Sequence, residues 1–254
     1  MFLQNGIKAV FYDLDGTLRH SDPPVQTFLA DHAVTLGLSI APDDRLRAMR
    51  WEHRYFAESD ELHADRLDFP ELDAFWNNFG HRQLMALGAS SALANELLPR
   101  LQEHLRANYH PTDVLLPDVV PTLKTLRQAG ITLGVISNRD EPLRNYLSEI
   151  GLGEYFDFSL AAGEVQAWKP DQAVFAHALQ RTGFRAEQAV YVGDNYFADV
   201  VGARNAGLKP VLLDIHAIFD RPGCPVIRSH SELLDLLQQE EDAWAENRDE
   251  IHPL

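Results

Sequence analysis

Short apolar segments that end in polar or turn residues recur along this chain, and they constrain its fold more than any other feature. Five of them read as buried strands, because each is a compact apolar run closed by turn residues. They span residues 7–12, 131–136, 158–162, 189–192 and 210–213. Helical patterns separate the later strands. Strands that alternate with helices predict a parallel sheet with helices on both faces.

The helical patterns between these strands have a common stop signal. They span residues 118–129, 141–150, 171–182 and 198–206, and a glycine follows each of them directly. Glycine just past the last helical residue is the usual way to end a helix. One more helix is predicted over residues 231–239. The predicted fold class is α/β, with a Rossmann-like core.

The segment from residue 20 to residue 109 has a different character, because it contains no strand-like run. It predicts about four helices, with starts near residues 22–24, 41–43, 68–70 and 89–91. Pro111 and Pro117 mark the return to the alternating pattern. We therefore predict a core made of residues 1–19 and 112–254, and a helical domain of residues 20–111 inserted after the first strand.

The charge balance restricts the partners of this chain. It has 22 Lys and Arg residues against 38 Asp and Glu residues, a formal net charge of −16. Such a surface repels nucleic acids and anionic membranes, so neither is an expected partner. The sequence shows no signal peptide and no apolar stretch long enough to span a membrane, and we expect a cytoplasmic protein. Nothing in it predicts an oligomeric state, and the single Cys224 reads as a spare thiol.

Polar side chains stand at the ends of the predicted strands. Asp13 and Asp15 follow the first strand, Ser137 ends the second and Asp194 follows the fourth. Ligands of open parallel sheets bind outside the carboxyl ends of the strands, so these residues should converge. Lys169 joins them from the loop after the third strand.

The D-L-D-G-T segment that begins at Asp13 suits phosphoryl chemistry. One carboxylate can attack phosphorus, while a second, Asp15, can protonate the leaving oxygen and later deprotonate water. Two carboxylates would repel a phosphate dianion, so a cation is required, and Mg²⁺ prefers such oxygen ligands. The structural alternative is an ordinary Asp-Gly turn without a catalytic role. An EF-hand is excluded, because its sixth and twelfth positions would be Leu18 and Pro24.

The other motifs also have structural alternatives. Asp194 and Asp199 lie in G-D-N-Y-F-A-D, where either could cap a helix instead of binding a metal. Ser137 could cap the helical segment that follows it. Lys169 is one of only four lysines, and most lysines are simply solvated.

Taken in order, D-L-D-G-T, a strand ending in serine, a Lys-Pro pair and G-D-N-Y-F-A-D resemble the haloacid dehalogenase-like (HAD) hydrolase superfamily. The resemblance covers the first twenty residues and residues 118–214. It implies that the helical insertion is a cap domain. It also implies a phosphatase that hydrolyses a small phosphorylated metabolite with Mg²⁺, through a phosphorylated aspartate.

The resemblance implies a role for each matching residue. Asp13 would be the nucleophile and Asp15 the general acid and base. Ser137, Asn138 and Lys169 would bind the phosphorylated substrate. Asp13, Asp194 and the Asp15 backbone carbonyl would hold the Mg²⁺, with Asp199 in support.

The same residues help to distinguish a phosphatase from proteins with related functions. Dehalogenases lack a counterpart of Asp15. Phosphonate hydrolases need a cap lysine, and no lysine occurs between Arg19 and Val120. A receiver domain needs no helical insertion. A sugar-phosphate mutase and a non-catalytic module that binds phosphorylated ligands stay open as alternatives.

The arginines and aromatic residues of the insertion allow two interpretations. They could contact a ring-bearing substrate. The i, i+4 spacing of Trp51 with Tyr55 and of Phe75 with Phe79 favours packing between helices instead.

Overall fold

The computed structural model describes residues 6–238. Within them, the chain divides into two compact units. One is built from residues 6–20 and 115–238, and the other is Ser21–Val114. The predicted boundaries, at residues 19/20 and 111/112, lie close to these. The assignment of the units as catalytic core and cap remains a prediction.

The strands and helices follow one another in a regular order. The strands are β1 (Ala9–Tyr12), β2 (Arg19–Asp22), β3 (Thr112–Leu115), β4 (Thr132–Ser137), β5 (Phe158–Ala161), β6 (Ala189–Gly193), β7 (Lys209–Leu213) and β8 (Val226–Ile227). The helices are α1 (Val25–Thr35), α2 (Pro42–Tyr55), α3 (Asp60–Asp68), α4 (Leu72–Ala86), α5 (Ser91–Asn108), α6 (Val119–Gln128), α7 (Arg144–Glu149), α8 (Ala162–Val165), α9 (Gln172–Thr182), α10 (Val201–Asn205) and α11 (His230–Gln238). A 3₁₀ turn spans Ala186–Gln188 and a π-helical turn spans Tyr196–Val200.

Six of the strands form one parallel sheet, in the order β5-β4-β1-β6-β7-β8. Strand β1 lies in the middle, where Tyr12 is in register with Val135 of β4 and with Val192 of β6. The first strand of the chain is thus flanked by two strands that come more than a hundred residues later. The residues that follow β1, β4 and β6 therefore meet at one edge of the sheet.

The central strand is apolar on both sides because helices cover both faces of the sheet. Val10 and Tyr12 pack in a cluster with side chains of α6, α7 and α11. Ala9 and Phe11 pack in a second cluster with side chains of α9 and α10. Side chains alternate along a strand, so a strand buried on both faces must be apolar throughout. Each fully buried Val, Leu or Phe side chain contributes roughly 1.5–3 kcal/mol.

The second unit contains helices α1 to α5. Ala33, Leu84 and Leu97 belong to its main apolar cluster, which joins α1, α4 and α5. Tyr55, Leu62 and Phe79 form a smaller cluster in which most of the aromatic residues pack. The ring centroids of Trp51 and Tyr55 lie 5.2 Å apart, as helix packing predicts.

The structure adds elements that the sequence pattern does not predict. Helix α3, the pair β2–β3 and the edge strand β8 are new, and β2 and β3 form a separate two-stranded sheet. The five predicted strands occur with ends shifted by two residues or fewer. The last helix, predicted over residues 231–239, is found at His230–Gln238, and residue 239 lies outside the described part of the chain. Between residues 6 and 238, no helix has the length and apolar character needed to cross a membrane.

Candidate active site

A buried lysine between two aspartates forms the centre of the candidate site. Lys169 Nζ donates to Asp13 Oδ1 and to Asp199 Oδ1, each at 2.6 Å. Asp13 follows β1 directly, and its backbone N–H donates to Val192 O at 2.9 Å, which continues the pairing with β6. All three side chains are buried. A buried charge is tolerated when it is paired and hydrogen-bonded, and the lysine meets both conditions.

Two neighbours hold Lys169 in place. The Asn138 side chain accepts from the Lys169 backbone N–H at 2.6 Å and donates to its carbonyl oxygen at 2.9 Å. Lys169 Nζ also donates to the Tyr191 hydroxyl at 3.0 Å, and that hydroxyl donates to Ile136 O at 3.1 Å. The ammonium group therefore has three partners, two carboxylates and one phenol, for its three N–H bonds.

Asp194 is fixed by the turn that follows Asp13. Thr17 Oγ1 donates to Asp194 Oδ1 at 3.1 Å and accepts from the Asp194 backbone N–H at 3.0 Å. A Cβ atom on Gly16 would lie 2.4 Å from Asp194 Oδ2, and the φ of Gly16 is +86°. Only glycine fits this close approach and this backbone conformation.

The charges of the site influence one another strongly. Burial raises the pKa of Asp13 to about 7, although Lys169 acts in the opposite direction. Burial, followed by repulsion from Asp13, raises the pKa of Asp194 well above its usual range. Burial would lower the pKa of Lys169, but the carboxylates of Asp13 and Asp199 raise it well above its usual range. The site is thus a group of acids with one fixed cation, and with all three acids ionised it would have excess negative charge.

The acidic groups are close enough to share a metal ion. Asp13, Asp194 and Asp199 each have a carboxylate oxygen within 4.8 Å of the others. Oxygen ligands suit Mg²⁺. Asp199 is already engaged at both oxygens, since Oδ1 accepts from Lys169 and Oδ2 accepts from the Asn195 backbone N–H at 2.9 Å. Asp13 and Asp194 are therefore the better candidates for metal ligands.

Asp15 lies beside this group, but its side chain pairs with arginines. Arg139 Nε donates to Asp15 Oδ2 at 2.8 Å and Arg139 Nη2 donates to Asp15 Oδ1 at 2.7 Å. Arg19 Nη2 lies 2.6 Å from Asp15 Oδ1. The Asp15 side chain is 40% exposed, so it stands at the solvent side of the site.

The residues predicted from the sequence thus fall into three groups. Asp13, Lys169 and Asp199 form one hydrogen-bonded cluster, which Asp194 approaches through its carboxylate. Ser137 is buried at the end of β4. Asp15 and Asn138 are near, but their side chains are occupied by arginine and by the Lys169 backbone. The predicted role of Asn138 in binding the substrate stays a prediction.

The sequence does not predict the part that three further residues play in the site. Tyr191 lies inside an apolar strand and reads as core. Arg139 reads as one of many surface arginines. Thr17 has no predicted role of its own, and in the structure its hydroxyl donates to Asp194. The one available signal was position, since Arg139 follows Asn138 directly and Thr17 completes D-L-D-G-T.

A parallel α/β core with this acidic cluster at one edge of its sheet defines a class of hydrolases. Residues 7–207 match the haloacid dehalogenase-like hydrolase family, and the chain belongs to it.

Three known proteins illustrate the similarity. Haloacid dehalogenase-like hydrolase domain-containing protein 3 of Danio rerio is 32% identical over 152 residues, which cover 58% of this chain and 63% of that relative. A phosphoglycolate phosphatase of Pseudomonas syringae pv. syringae (strain B728a) is 29% identical over 216 residues, which cover 85% of this chain and 72% of that protein. The crystal structure of a HAD phosphatase from Thermococcus onnurineus has a TM-score of 0.57 at 27% identity, covering 92% of this chain and 99% of that one.

Proposed function

We propose that this chain is a magnesium-dependent phosphatase that hydrolyses a small phosphomonoester through an aspartyl-phosphate on Asp13. The observation that carries the proposal is the Lys169 ammonium group, which bridges Asp13 and Asp199 beside the Asp194 carboxylate. A nucleophilic carboxylate, a fixed cation and a group of metal-binding oxygens are the parts that phosphoryl transfer needs. The phosphatase names among the relatives support the same reaction.

The metal ion would be held by Asp13, Asp194 and the backbone carbonyl of Asp15. The chemistry of the residues fits Mg²⁺, because buried carboxylates with raised pKa values need a nearby positive charge to stay ionised. When bound, Mg²⁺ would neutralise charge on the phosphoryl group and orient it.

The first half of the reaction would transfer the phosphoryl group to Asp13. Lys169 holds Oδ1 of this residue, which leaves Oδ2 to form the new bond to phosphorus. The bond from phosphorus to the alcohol oxygen breaks, and Asp15 supplies the proton that this oxygen takes. The positive charge of Lys169 would stabilise the charge on the phosphoryl oxygens, and the Ser137 hydroxyl would donate a hydrogen bond to one of them.

The second half would return Asp13 to its free state. Water attacks phosphorus and Asp15 takes the proton from it, while the bond between phosphorus and Asp13 Oδ2 breaks. Inorganic phosphate leaves, and both aspartates regain their starting forms. Asp15 therefore acts as acid and then as base.

Two matched substitutions test the roles of the two aspartates. Asp13→Asn is expected to lower magnesium-dependent turnover of an aryl phosphate by at least about a thousandfold, because no covalent intermediate can form. Asp15→Asn is expected to accumulate a phosphorylated protein, detected by intact mass, because its hydrolysis lacks a base. Asp157→Asn removes a surface carboxylate of the same unit and should behave like the wild type.

Other outcomes would identify a different function. Wild-type rates in Asp13→Asn would end the proposal. Transfer of the phosphoryl group to a sugar phosphate instead of to water would identify a mutase. Tight binding of phosphorylated ligands with no magnesium-dependent turnover would identify a binding module.

A further inference from the structure

A buried histidine at the start of α11 contacts the turn that follows β1. His230 Nε2 lies 2.9 Å from the backbone oxygen of Thr17, which is 213 residues away in sequence. A carbonyl oxygen can only accept a hydrogen bond, so Nε2 carries the hydrogen and the imidazole is the donor. Both residues are buried, and a buried carbonyl oxygen that loses its donor is costly.

The imidazole of His230 borders the D-L-D-G-T segment at both of its ends. Its ring centre lies 5.7 Å from the ring centre of Tyr12, the residue directly before Asp13. Its Nε2–H group holds Thr17, the last residue of the segment. One side chain therefore contacts the chain on either side of the proposed nucleophile.

The start of α11 is itself held in place by α6 and the residue before it. The backbone N–H of Ser231 donates to Asp118 Oδ2 at 2.8 Å, which ties the first turn of α11 to the beginning of α6. Leu233 is buried in the core cluster that contains side chains of α6 and of β1. His230 thus extends from a fixed support, and its contact with Thr17 fixes the turn from outside.

Thr17 connects His230 to the acidic cluster. The Thr17 hydroxyl donates to Asp194 Oδ1 at 3.1 Å and accepts from the Asp194 backbone N–H at 3.0 Å. Two hydrogen bonds to the same residue fix both the place and the direction of its carboxylate. A continuous series of hydrogen bonds therefore runs from His230 through Thr17 to Asp194, a candidate metal ligand.

We propose that His230 is a positioning residue, which raises the affinity of the site for Mg²⁺ by holding Thr17 and, through it, the carboxylate of Asp194. The inference rests on the proposed function, because it uses the metal site assigned there. Loss of a group that orients a metal ligand typically weakens metal binding by about tenfold to a hundredfold. His230 acts through one more residue, so the loss of its hydrogen bond should have a smaller effect.

A purely structural role for His230 makes a different prediction. If the ring only packs beside Tyr12, phenylalanine can replace it without a change in metal binding, whereas glutamine cannot. If the ring orients Thr17, the opposite holds. Glutamine carries an amide N–H at the same number of bonds from the backbone as Nε2, while phenylalanine keeps the ring and lacks the donor.

The experiment measures the Kd of Mg²⁺ for the full chain by titration calorimetry, and the Mg²⁺ dependence of aryl phosphate turnover in parallel. We expect His230→Phe to raise the Kd about threefold to tenfold and to change kcat at saturating Mg²⁺ by less. His230→Gln should restore most of the affinity. His177→Gln replaces an exposed histidine of α9 and should match the wild type. If His230→Phe does not fold, His230→Asn takes its place, because its amide is one bond too short to reach Thr17.

A double substitution tests whether the effect passes through Thr17. Thr17→Val removes the hydroxyl that holds Asp194 and keeps the backbone carbonyl, so it should raise the Kd about tenfold to a hundredfold. Adding His230→Phe should then raise the Kd no further, because residues that act in one series of contacts are not additive. Effects that multiply as independent factors would overturn the route through Thr17.

The outcomes separate this inference from the proposed function. A wild-type Kd in His230→Phe, or a His230→Gln variant that binds Mg²⁺ as weakly as His230→Phe, overturns the positioning role and leaves the phosphatase intact. Mg²⁺ binding that depends on the His230 donor, without turnover of any ester by the wild type, supports the positioning role and overturns the phosphatase. A wild type that binds no Mg²⁺ overturns the positioning role, whether or not esters are hydrolysed.

Discussion

At the scale of single residues, the least expected member of the site is Tyr191. Its hydroxyl gives the buried Lys169 ammonium group a third partner and is tied to Ile136 O. A buried donor that loses its partner costs about 1–3 kcal/mol. Tyr191 should therefore act through the lysine, by fixing the direction in which the positive charge points.

The substitution Tyr191→Phe tests this positioning role. It removes one oxygen atom and leaves the ring packed against Phe175. We expect kcat for an aryl phosphate to fall about threefold to thirtyfold with a smaller change in KM, because the ammonium group loses one of three partners. Tyr155→Phe, in the same unit but outside the site, should retain wild-type kcat. An unchanged kcat in Tyr191→Phe would show that Asp13 and Asp199 fix the lysine alone.

Whether the sequence predicts a site residue depends on where that residue lies relative to the strands. Asp13, Lys169 and Asp194 are predicted to meet because each follows a strand of one parallel sheet, and the structure brings them together. Tyr191 acts through Lys169, 22 residues away in sequence, and Arg139 contacts Asp15, 124 residues away. No local pattern marks such a contact, so these residues could only be found in three dimensions.

At the scale of elements, apolar runs and glycine stops predict the core well. All five predicted strands and the four glycine-closed helices are found, the last beginning with a π-helical turn. The elements that were missed lack this signal. Strand β2 reads Arg-His-Ser-Asp and is exposed or half-buried, so it has no apolar face. Helix α3 starts at the Ser59 cap without a proline or glycine to mark it.

A half-buried acid joins the helices of the second unit. Glu52 of α2 accepts from Gln26 Nε2 of α1 at 2.6 Å, and Gln83 Nε2 of α4 lies 3.5 Å from its other oxygen. Burial raises the pKa of Glu52 from 4.5 to about 7, against the hydrogen bond from Gln26. The folded state therefore binds the proton of the Glu52 carboxyl group more tightly than the unfolded state does. The stabilisation that comes from binding this proton is lost as the pH rises from about 5 to about 8.

The substitution Glu52→Gln should remove this pH dependence. The amide oxygen can still accept from Gln26, and no charge is buried. We expect the variant to be more stable than the wild type by about 1 kcal/mol at about pH 8, or roughly 3 °C in Tm, and to lose the advantage near pH 5. Thermal unfolding followed by circular dichroism measures the effect. Glu103→Gln, an exposed change on α5, is the control. A variant less stable than the wild type at both pH values would contradict the argument.

At the scale of the whole molecule, the acidic site connects metal binding to stability and pH. Burial raises the pKa of Asp13 from 3.8 to about 7 and raises that of Asp194 as well. Both acids hold protons more tightly in the folded state, so without metal their contribution to stability falls as the pH rises towards about 7. A divalent ion binds the deprotonated carboxylates, so it competes with the protons. Metal binding should therefore stabilise the protein more at high pH than at low pH.

The comparison of Tm with excess Mg²⁺ and with a chelator, at about pH 5 and about pH 8, tests this linkage. We expect the gain from Mg²⁺ to be larger at the higher pH by about 4 °C, which corresponds to 1–2 kcal/mol. The gain is a difference at fixed pH, so the contribution of Glu52, common to both samples, cancels. Asp194→Asn should lose most of the gain, while Asp157→Asn should keep it. An equal gain in Tm at both pH values, or a full gain in Asp194→Asn, would contradict the argument. Either result would mean that Mg²⁺ binds elsewhere and that only protons neutralise Asp13 and Asp194.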